Sequence, residues 1–600
     1  MNYLKFFFIV LFFDALLRAQ SVEKKIARFD GGAIDEQDFL FRYEMTPYPR
    51  KHLDEFQDNI KMEFALSIIA EKLFAFEGSK NKDVLESDAL KYLFPRMRNI
   101  ILRDALYREV IFNPTRAKDD EIKKEYIKGL SKYKVVILSF ENENLSKKFF
   151  EKFKRNEPLE KILQRAAENN IDTTTKIIEY GDLDIELENQ LYKLDVGDIS
   201  PVVISDKKWH IIIVKDVEIN INPTEAEKER VYGKVKSVME GRKEEELKEK
   251  YLKQFFKDKK ASSDGKILAL FSRWLANKIL LTQTESDSSA ILFTYQFIRE
   301  ANEALSDEIM SAPFIFVGDR SYSLKEFLYD LIYIQNFALK KNAVSNIAAI
   351  LNAKIKYFIE NEFLALEAER KKLDTKKEVK KDINLWRDFY LAEVYKLKLK
   401  NEINIEESKY VKPEEKDSLK RKLFHLREIF STNFEDISNA LDEIKKGVDF
   451  KDAAKRYNKR EETLKSDGEL IFYDYLFPEL AKVAENMAPG EIFGPIENSN
   501  GYSIIKLIDK KEYAIERESD KEKKLRIWNE IYAEKLEKKA AELAKKYNLK
   551  IFEKSIKEIK TTKVNVVSYR FYGFGGRTIA VPFVSPFWNW YYLMEEKKLD

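Results

Sequence analysis

The sequence has no cysteine and only three histidines among its 600 residues. The absence of cysteine excludes disulfides, thiol nucleophiles, cysteine-ligated zinc and a lipid anchor attached to cysteine. His52, His210 and His425 form no His-x-x-x-His or carboxylate–histidine pattern, so the sequence predicts no metal site and no cofactor. The glycine cluster Gly573–Gly576 is not followed by a helical pattern, which argues against a phosphate-binding loop.

Neither sign of charge is in excess, because 107 Lys and Arg residues nearly balance 104 Asp and Glu residues. Proteins that bind nucleic acid usually carry a basic excess, so we expect no nucleic-acid partner. The many Lys/Glu runs are interpreted as solvated faces of helices. A chain of 600 residues is too long for one hydrophobic core, which predicts several domains.

The longest apolar run lies at the N-terminus, from Phe6 to Leu17. It is too short to cross a bilayer but is typical of a secretory signal peptide, with cleavage near Ala19. Asp14 within the run and Leu17 at a usually small position depart from that pattern, and an uncleaved inner-membrane anchor is the alternative. Both interpretations predict that the chain leaves the cytoplasm, with the periplasm as the expected location.

Two segments of the chain share the same ending, a turn followed by two short strands. Gly197–Asp216 reads GDISPVVISDKKWHIIIVKD, and Gly490–Asp509 reads GEIFGPIENSNGYSIIKLID, 293 residues later. Asn498–Gly501 is a tight-turn signal, since Asn and Gly tolerate positive φ. The similarity predicts a repeated module.

Two further landmarks recur at nearly the same distance. Ile137 and Ile429 lie in two β-rich runs and are 292 residues apart, while Phe39 and Phe327 begin two helical stretches and are 288 residues apart. These offsets predict duplication of a whole unit of helices and strands.

The hydrophobic periodicity predicts an α+β fold. The chain is expected to be mostly helical and multidomain, with two small α/β domains, each in the order strand, helices, helix, strand, strand. The predicted domains are a signal peptide at 1–20, a helical module at 21–130, an α/β domain at 131–220, a helical connector at 221–310, a second helical module at 311–412, a second α/β domain at 413–515, a helix at 516–548 and an aromatic-rich tail at 549–600.

Both predicted α/β domains resemble the parvulin (rotamase) domain of peptidyl-prolyl cis-trans isomerases. The resemblance implies that each is a short antiparallel sheet wrapped by helices. In that family the first strand ends in His-Ile-Leu, a Gly-Gly-Asp-Leu-Gly turn lies mid-domain, and the last strand contains Gly-Trp/Tyr-His-Ile-Ile. The matching segments are Gly181–Leu183 and Trp209–Ile212 in the first domain and Asp467–Leu470, Gly490–Ile492 and Gly501–Ile505 in the second. Two such domains joined to helical modules are similar to SurA-type periplasmic chaperone-isomerases.

The resemblance implies a set of site residues. The family's first-strand histidine corresponds to Val136 and Glu428, and its last-strand histidine corresponds to His210 and Ser503, so each copy has lost at least one histidine. We therefore expect His210, Glu428 and Ser503 at the catalytic groove positions, whereas His425 points to the opposite strand face. The expected substrate-binding residues are Leu183, Leu187 and Trp209 in the first domain and Leu470, Leu476, Leu480 and Tyr502 in the second.

The resemblance further implies an envelope folding factor whose partners are unfolded or extended polypeptides, outer-membrane proteins among them. Weak or vestigial isomerisation of X-Pro bonds is expected, and a non-catalytic envelope scaffold is the alternative. The tail segment Val564–Tyr592 holds ten aromatic residues. They are interpreted either as strands packing back on the body or as a contact surface for a partner. Membrane contact through the N-terminal segment or this tail is left open.

Overall fold

The computed structural model describes residues 24–48, 50–51, 57–152, 158–282, 290–335, 337–403, 419–474, 476–498, 501–515, 520–562, 564–565 and 568–595. The predicted signal peptide, His52 and the turn residues Ser499 and Asn500 lie outside this part of the chain. The chain divides into a smaller unit, Tyr107–Lys259, and a larger unit formed by Met1–Leu106 and Lys260–Asp600. Both units combine helices with small antiparallel sheets, so the fold class is α+β, as predicted.

The larger unit begins with a tight hairpin that leads into helices. The elements are β1 (Lys25–Phe29), β2 (Gly32–Asp35), α1 (Glu36–Met45), α2 (Gln57–Gly78), α3 (Lys82–Leu85) and α4 (Phe94–Tyr107). Asp35 caps α1, because its side chain accepts a hydrogen bond of 2.6 Å from the backbone N–H of Asp38. Most of α2 is buried, since its apolar side chains lie around much of its circumference at the centre of the main core.

The smaller unit contains a four-stranded antiparallel sheet in the order β4-β3-β6-β5. Its elements are α5 (Asp119–Gly129), β3 (Ser131–Phe140), α6 (Glu143–Glu151), α7 (Leu159–Glu168), β4 (Asp172–Ile178), α8 (Ile185–Leu191), β5 (Val203–Ser205), β6 (Lys208–Ile219) and α9 (Glu225–Phe256). Helices α6 and α7 cover one face of the sheet and α8 covers the other. The polar, Thr-rich β4 was not expected, because it lacks the apolar alternation of a half-buried strand.

After α9 the chain returns to the larger unit. The elements are β7 (Ala261–Ser263), α10 (Gly265–Leu281), β8 (Ala290–Leu292), α11 (Tyr295–Ser311), β9 (Pro313–Val317), β10 (Arg320–Ser323), α12 (Leu324–Tyr329), β11 (Ala338–Lys340), α13 (Ile347–Arg370) and α14 (Lys377–Asn401). The connector predicted to be helical therefore also contains two three-residue strands. Strands this short leave no periodic signal in a sequence.

A second four-stranded sheet follows, in the order β13-β12-β15-β14. Its elements are β12 (Leu419–Ser431), α15 (Phe434–Lys445), α16 (Phe450–Tyr457), β13 (Glu469–Tyr473), α17 (Pro478–Ala484), β14 (Ile492–Asn498) and β15 (Gly501–Ile515). Helices α15 and α16 cover one face and α17 covers the other, as α6, α7 and α8 do in the first sheet. We call residues 131–219 sheet domain 1 and residues 419–515 sheet domain 2.

The C-terminal region packs back on the larger unit. Its elements are α18 (Asp520–Lys546), β16 (Lys550–Ile551), α19 (Glu553–Glu558), β17 (Tyr569–Phe571), β18 (Arg577–Ile579) and α20 (Trp590–Glu595). Trp590 is fully buried, and Tyr572 and Phe583 are also buried, whereas the Phe571 side chain is 71% exposed. Phe587, Trp588 and Tyr591 also pack against the main core, so most of the described aromatic residues of the tail pack on the body. The interpretation as strands applies only to Tyr569–Phe571 and Arg577–Ile579.

A buried carboxylate in the larger unit predicts a pH-dependent stability. Asp330 is buried, and the Gln335 amide donates a hydrogen bond of 2.8 Å to its carboxylate. Burial raises the pKa of Asp330 to about 6, although Arg96 and Gln335 act in the opposite direction. The native state therefore holds this proton more tightly than the unfolded chain, and the associated stability is present below about pH 4 and is lost as the pH rises through 6.

We expect Asp330→Asn to be more stable than the parent at pH 7, by about 2–3 kcal/mol, because the neutral amide need not be ionised in the core. At pH 4 the two proteins should have similar stability. Thermal unfolding of the full-length chain from pH 4 to pH 7 measures the difference. An equal shift of the melting temperature at both pH values would show that ionisation of Asp330 is not its cause.

Candidate functional site

The pairing register shows how the residues of the two sheet domains correspond. In each domain the first strand pairs with the last, and each pairing is interrupted by one bulge. The pairs that flank the bulge are Lys134 with Asp216 and Val135 with Val214 in sheet domain 1, and His425 with Asp509 and Leu426 with Leu507 in sheet domain 2. Beyond the bulge, first-strand residues therefore correspond at an offset of 291 and last-strand residues at an offset of 293.

This register corrects one expected correspondence. Glu428 is equivalent to Ile137 and not to Val136, and the landmark pair Ile137 and Ile429 is out of register by the same one residue. A shift of one residue moves a strand side chain to the other face of the sheet. Val136 packs under α6 and α7, whereas Ile137 faces α8.

The mid-domain turns are not equivalent either. Gly181 follows β4, whereas Gly468 immediately precedes β13. In sheet domain 2, the carbonyl oxygen of Gly468 accepts a hydrogen bond of 2.7 Å from the backbone N–H of Glu428. In sheet domain 1, the equivalent of Glu428 is Ile137, and its strand partner is Thr174. Thr174, and not Gly181, is therefore the residue equivalent to Gly468. The short motif Gly-Asp-Leu had suggested an alignment that the strand pairing does not support.

Sheet domain 1 holds a polar group on the α8 face of its last strand, centred on His210. The Nε2 atom of His210 lies 3.1 Å from the carbonyl oxygen of Ser205, and Nδ1 lies 3.0 Å from the hydroxyl of Ser139. A carbonyl oxygen can only accept, so the contact with Ser205 requires a proton on Nε2, whereas the Ser139 hydroxyl is able to donate to Nδ1 or to accept from it. His210 is half-buried, and contacts at both ring nitrogens fix the orientation of its imidazole.

An apolar wall lies on the same face as His210. Leu187 is buried in the cluster that contains Ile212 and Val214, and the half-buried Leu183 packs against that cluster. The structure therefore brings His210, Leu183 and Leu187 to one face of the sheet. Their role in binding a substrate stays a prediction.

Sheet domain 2 carries a buried ion pair at the equivalent place. The Glu428 side chain is 0% exposed, and its carboxylate accepts hydrogen bonds from Ser503 Oγ at 2.6 Å and from Arg460 Nη2 at 2.8 Å. Arg460 Nε donates to the second carboxylate oxygen, so the guanidinium binds the carboxylate with two parallel hydrogen bonds. The structure brings Glu428 and Ser503 together, and Arg460 completes their site.

Aromatic rings enclose the guanidinium of Arg460. Its central carbon lies 4.5 Å from the ring centroid of Phe430 and 5.0 Å from that of Phe477. Such contacts are favourable because the face of an aromatic ring is electron-rich. The Arg460 side chain is 14% exposed, so it fills the space between the Glu428 carboxylate and these rings.

The segment that carries Arg460 is itself fixed by hydrogen bonds. Asn458 is buried, accepts a hydrogen bond of 3.0 Å from the backbone N–H of Phe430, and donates to the hydroxyl of Thr463 at 3.0 Å. The backbone N–H of Lys459 donates to the carbonyl oxygen of Phe430 at 2.7 Å. Arg460 therefore enters the site from a backbone that β12 holds in place.

The remaining predicted residues divide between two faces. Leu470, Leu476 and Leu480 lie in or against the cluster under α17, on the face of Glu428. Trp209 packs on the α6–α7 face and Tyr502 on the α15–α16 face, so neither shares a face with the leucines of its own domain. The prediction that they line the same groove is corrected, since each is adjacent in sequence to a groove position and adjacent strand residues point to opposite faces.

His425 lies on the face opposite Glu428, as strand alternation predicts, where its Nε2 contacts Glu469 at 2.6 Å. Sequence reasoning missed the partners of the central residues, namely Arg460 for Glu428 and Ser139 for His210. No group of three His, Asp or Glu side chains suited to a metal ion occurs in the described part of the chain.

One family model matches the chain. Residues 432–509 match the Rotamase family, described as the PPIC-type PPIASE domain, and this range covers most of sheet domain 2. No curated protein matches the chain significantly in sequence.

Several solved structures are similar to parts of the chain. A crystallised PpiC-type peptidyl-prolyl cis-trans isomerase domain is 28% identical, with 16% of this chain and 96% of that chain covered and a TM-score of 0.15. The peptidylprolyl isomerase PrsA from Bacillus anthracis is 19% identical, with 38% and 99% covered and a TM-score of 0.16. A structure from work on PEB4 and Cj1289, two SurA-like chaperones of Campylobacter jejuni, is 19% identical, with 38% and 94% covered and a TM-score of 0.15.

Proposed function

We propose, from the PPIC-type (parvulin-type) domain at residues 432–509, that this protein is a folding factor of the parvulin family that binds extended polypeptide clients. The observation that carries the proposal is this family match, made by a domain whose sheet order and bulge recur in sheet domain 1. Two weak binding modules on one chain raise the effective concentration of a second contact once the first is made, which suits a long, unfolded client.

We further propose that slow isomerisation of X-Pro bonds belongs to sheet domain 1. Rotation about an X-Pro bond meets a barrier of roughly 18–20 kcal/mol, but no bond is broken and no proton must leave the substrate. A groove accelerates it by binding the twisted amide better than the planar forms. His210 supplies a polar wall and Leu183 and Leu187 supply an apolar wall on the same face of the sheet, whereas Arg460 already fills the corresponding space of sheet domain 2.

The full-length protein is expected to shorten the time constant of X-Pro isomerisation in a protease-coupled peptide assay. His210→Ala is expected to return it to the uncatalysed value, about tens to hundreds of seconds at 25 °C, because the polar wall of the groove is lost. His425→Ala is the matched control, since His425 belongs to sheet domain 2 and lies on the sheet face opposite Glu428. Equal acceleration by the parent and His210→Ala would place catalysis elsewhere.

The second candidate function is a non-catalytic envelope scaffold. It is favoured by sheet domain 2, where the Arg460 side chain fills the space beside Glu428. A parent protein that does not accelerate the peptide reaction supports this candidate. Suppression of the aggregation of an unfolded outer-membrane protein then separates a client-binding chaperone from a scaffold. No effect at a several-fold molar excess of this protein would count against client binding.

We propose an envelope location on the strength of the N-terminal apolar run, which lies outside the described residues. Among the described residues, no helix is both long and apolar enough to cross a membrane. Fusing residues 1–30 to a reporter that is active only after export tests the proposed signal. An inactive reporter would contradict it.

A further inference from the structure

The larger unit contains two β-hairpins, β1–β2 and β9–β10, whose burial and strand pairing match position by position. Strands β1 and β9 begin at Lys25 and Pro313, and in both the first and fourth residues are exposed while the other three are buried. Strands β2 and β10 begin at Gly32 and Arg320, are separated by the same distance along the sequence, and share one burial pattern. Both hairpins have the same pairing register and a bulge at the same place.

Each hairpin is completed by a third strand, and the third strands are equivalent as well. Ile551 of β16 pairs with Ala27 of β1, and Ser263 of β7 pairs with Ile315 of β9. The sequence distance from Ser263 to Ile551 equals that from Ala27 to Ile315, and it is the distance that separates the two hairpins. The equivalence extends to the next backbone hydrogen bond, which is 2.9 Å long after β16 and 2.8 Å long after β7.

The order of these strands along the chain shows that two sets of elements exchange their third strands. Strand β7 follows the first set of elements, from β1 to α9, yet it completes the hairpin that begins the second set. Strand β16 ends the second set, from β9 to α18, yet it completes the hairpin that begins the first. We call residues 24–263 the first half and residues 313–551 the second half.

The helices of the two halves are also paired across the boundary between them. Lys72 of α2 in the first half forms an ion pair of 2.6 Å with Asp388 of α14 in the second. In the reciprocal contact, Asn99 of α4 in the first half donates a hydrogen bond of 2.8 Å to Glu362 of α13 in the second. The sequence distances from Lys72 to Glu362 and from Asn99 to Asp388 are nearly the distance between the two hairpins, so the same repeat relates the two contacts.

We infer that the helical body of the larger unit is a covalently fused dimer of two exchanged halves, and that the partner which completes either half is a second half of the same kind. Without its partner, the three-stranded sheet that begins each half would be reduced to a two-stranded hairpin, which is marginal in water. It would also expose the unpaired edge of β1 or β9 and the apolar residues of α2 or α13. Neither half is therefore a complete folding unit.

The test uses the full-length chain with a protease site inserted between Thr282 and Ala290, cleaved after folding. We expect the two fragments to remain one particle in gel filtration and to separate only in denaturant. Because folding then requires the association of two molecules, the thermal midpoint of the larger unit should fall on 100-fold dilution of the cleaved protein and stay constant for the intact protein. Fragments that separate in native buffer, or a midpoint independent of concentration, would overturn the inference.

The absence of native cysteine allows a second, direct test. Ala27→Cys with Ile551→Cys places two thiols on paired residues of β1 and β16, at a separation that suits a disulfide. After oxidation and cleavage this pair should hold both fragments in one band on a non-reducing gel and abolish the concentration dependence. The control pair, Arg28→Cys with Ala33→Cys, lies within the first fragment and should do neither. Two separate bands from the β1–β16 pair would overturn the exchange.

Discussion

Replacing Arg460 with alanine is expected to destabilise sheet domain 2 by about 3–5 kcal/mol, because it leaves the charge of Glu428 buried without its cation. The Glu428 side chain is fully buried, and Arg460 supplies two of the hydrogen bonds to its carboxylate. The Ser503 hydroxyl can still donate one hydrogen bond but brings no positive charge. The contacts of the guanidinium with Phe430 and Phe477 are lost at the same time.

Hydrogen exchange of β12 and β15 in the full-length chain measures this effect locally, since a chain of several domains does not unfold in one step. Protection of the backbone amides in these strands should fall by roughly 10²- to 10⁴-fold. Lys455→Ala is the matched control, because its ion pair with Asp452 is exposed on both sides and should contribute less than about 1 kcal/mol. Similar losses of amide protection in both variants would show that the buried ion pair contributes no more to stability than the exposed one.

A double replacement separates the buried charge from the packing. Glu428→Gln with Arg460→Met keeps an acceptor for Ser503 and fills the space between the aromatic rings with an apolar chain. We expect it to recover part of the stability lost in Arg460→Ala, since exchanging both members of a buried ion pair is often nearly neutral. A double variant as unstable as Arg460→Ala would mean that the lost stability comes mainly from the ring contacts of the guanidinium and not from the uncompensated carboxylate.

The turn that first indicated the repeated module was predictable because its cause is local. Gly197 and Gly490 adopt φ values of +92° and +87°, a region that favours glycine. In both turns the glycine N–H donates to the last strand, to Val214 at 2.9 Å and to Leu507 at 2.7 Å. A residue type required by backbone conformation leaves a signal in a single sequence.

The partners at the centre of each site were not predictable in this way. Arg460 lies in the charged run Lys459–Glu462, whose composition is that of a solvated segment, and only the fold brings it to Glu428. The first strands correspond at an offset of 291 and the last strands at an offset of 293, and nothing in the sequence marks this difference, so Val136 was matched to Glu428. Contacts between distant segments depend on register, which composition does not encode.

The exchange of halves gives a physical reason for the difference between the two sheet domains. In a dimer of identical chains, every substitution appears in both copies of a site. In a fused chain one sheet domain is free to keep a half-buried histidine at residue 210 while the other replaces that position with Ser503 and introduces the pair Glu428 and Arg460. On this view the interface between halves is retained for stability, and the grooves are free to diverge.

Replacing Arg570 in the C-terminal tail is expected to release the β17–β18 hairpin from the larger unit. Its guanidinium bonds to Asp104 of α4 at 2.7 Å and to Asp382 of α14 at 2.6 Å, so it joins the tail to both halves. Burial tends to lower the pKa of Arg570, but Asp382 and Asp104 outweigh burial and raise that pKa. Its charge is therefore held by the two carboxylates.

In Arg570→Ala, Asp104 and Asp382 lose the cation between them, and the Asp104 side chain is only 4% exposed. We expect the free energy that holds the hairpin in place to fall by about 3–5 kcal/mol. Rapid hydrogen exchange and early proteolysis within residues 568–580 measure this change. Arg570→Ala with Asp104→Asn is the matched variant, because an amide can still accept the hydrogen bond of 3.0 Å from the backbone N–H of Gly573 and carries no charge. It should regain part of the protection. A hairpin equally protected in the parent and Arg570→Ala would show that apolar contacts such as those of the buried Tyr572 hold the tail without the ion pairs.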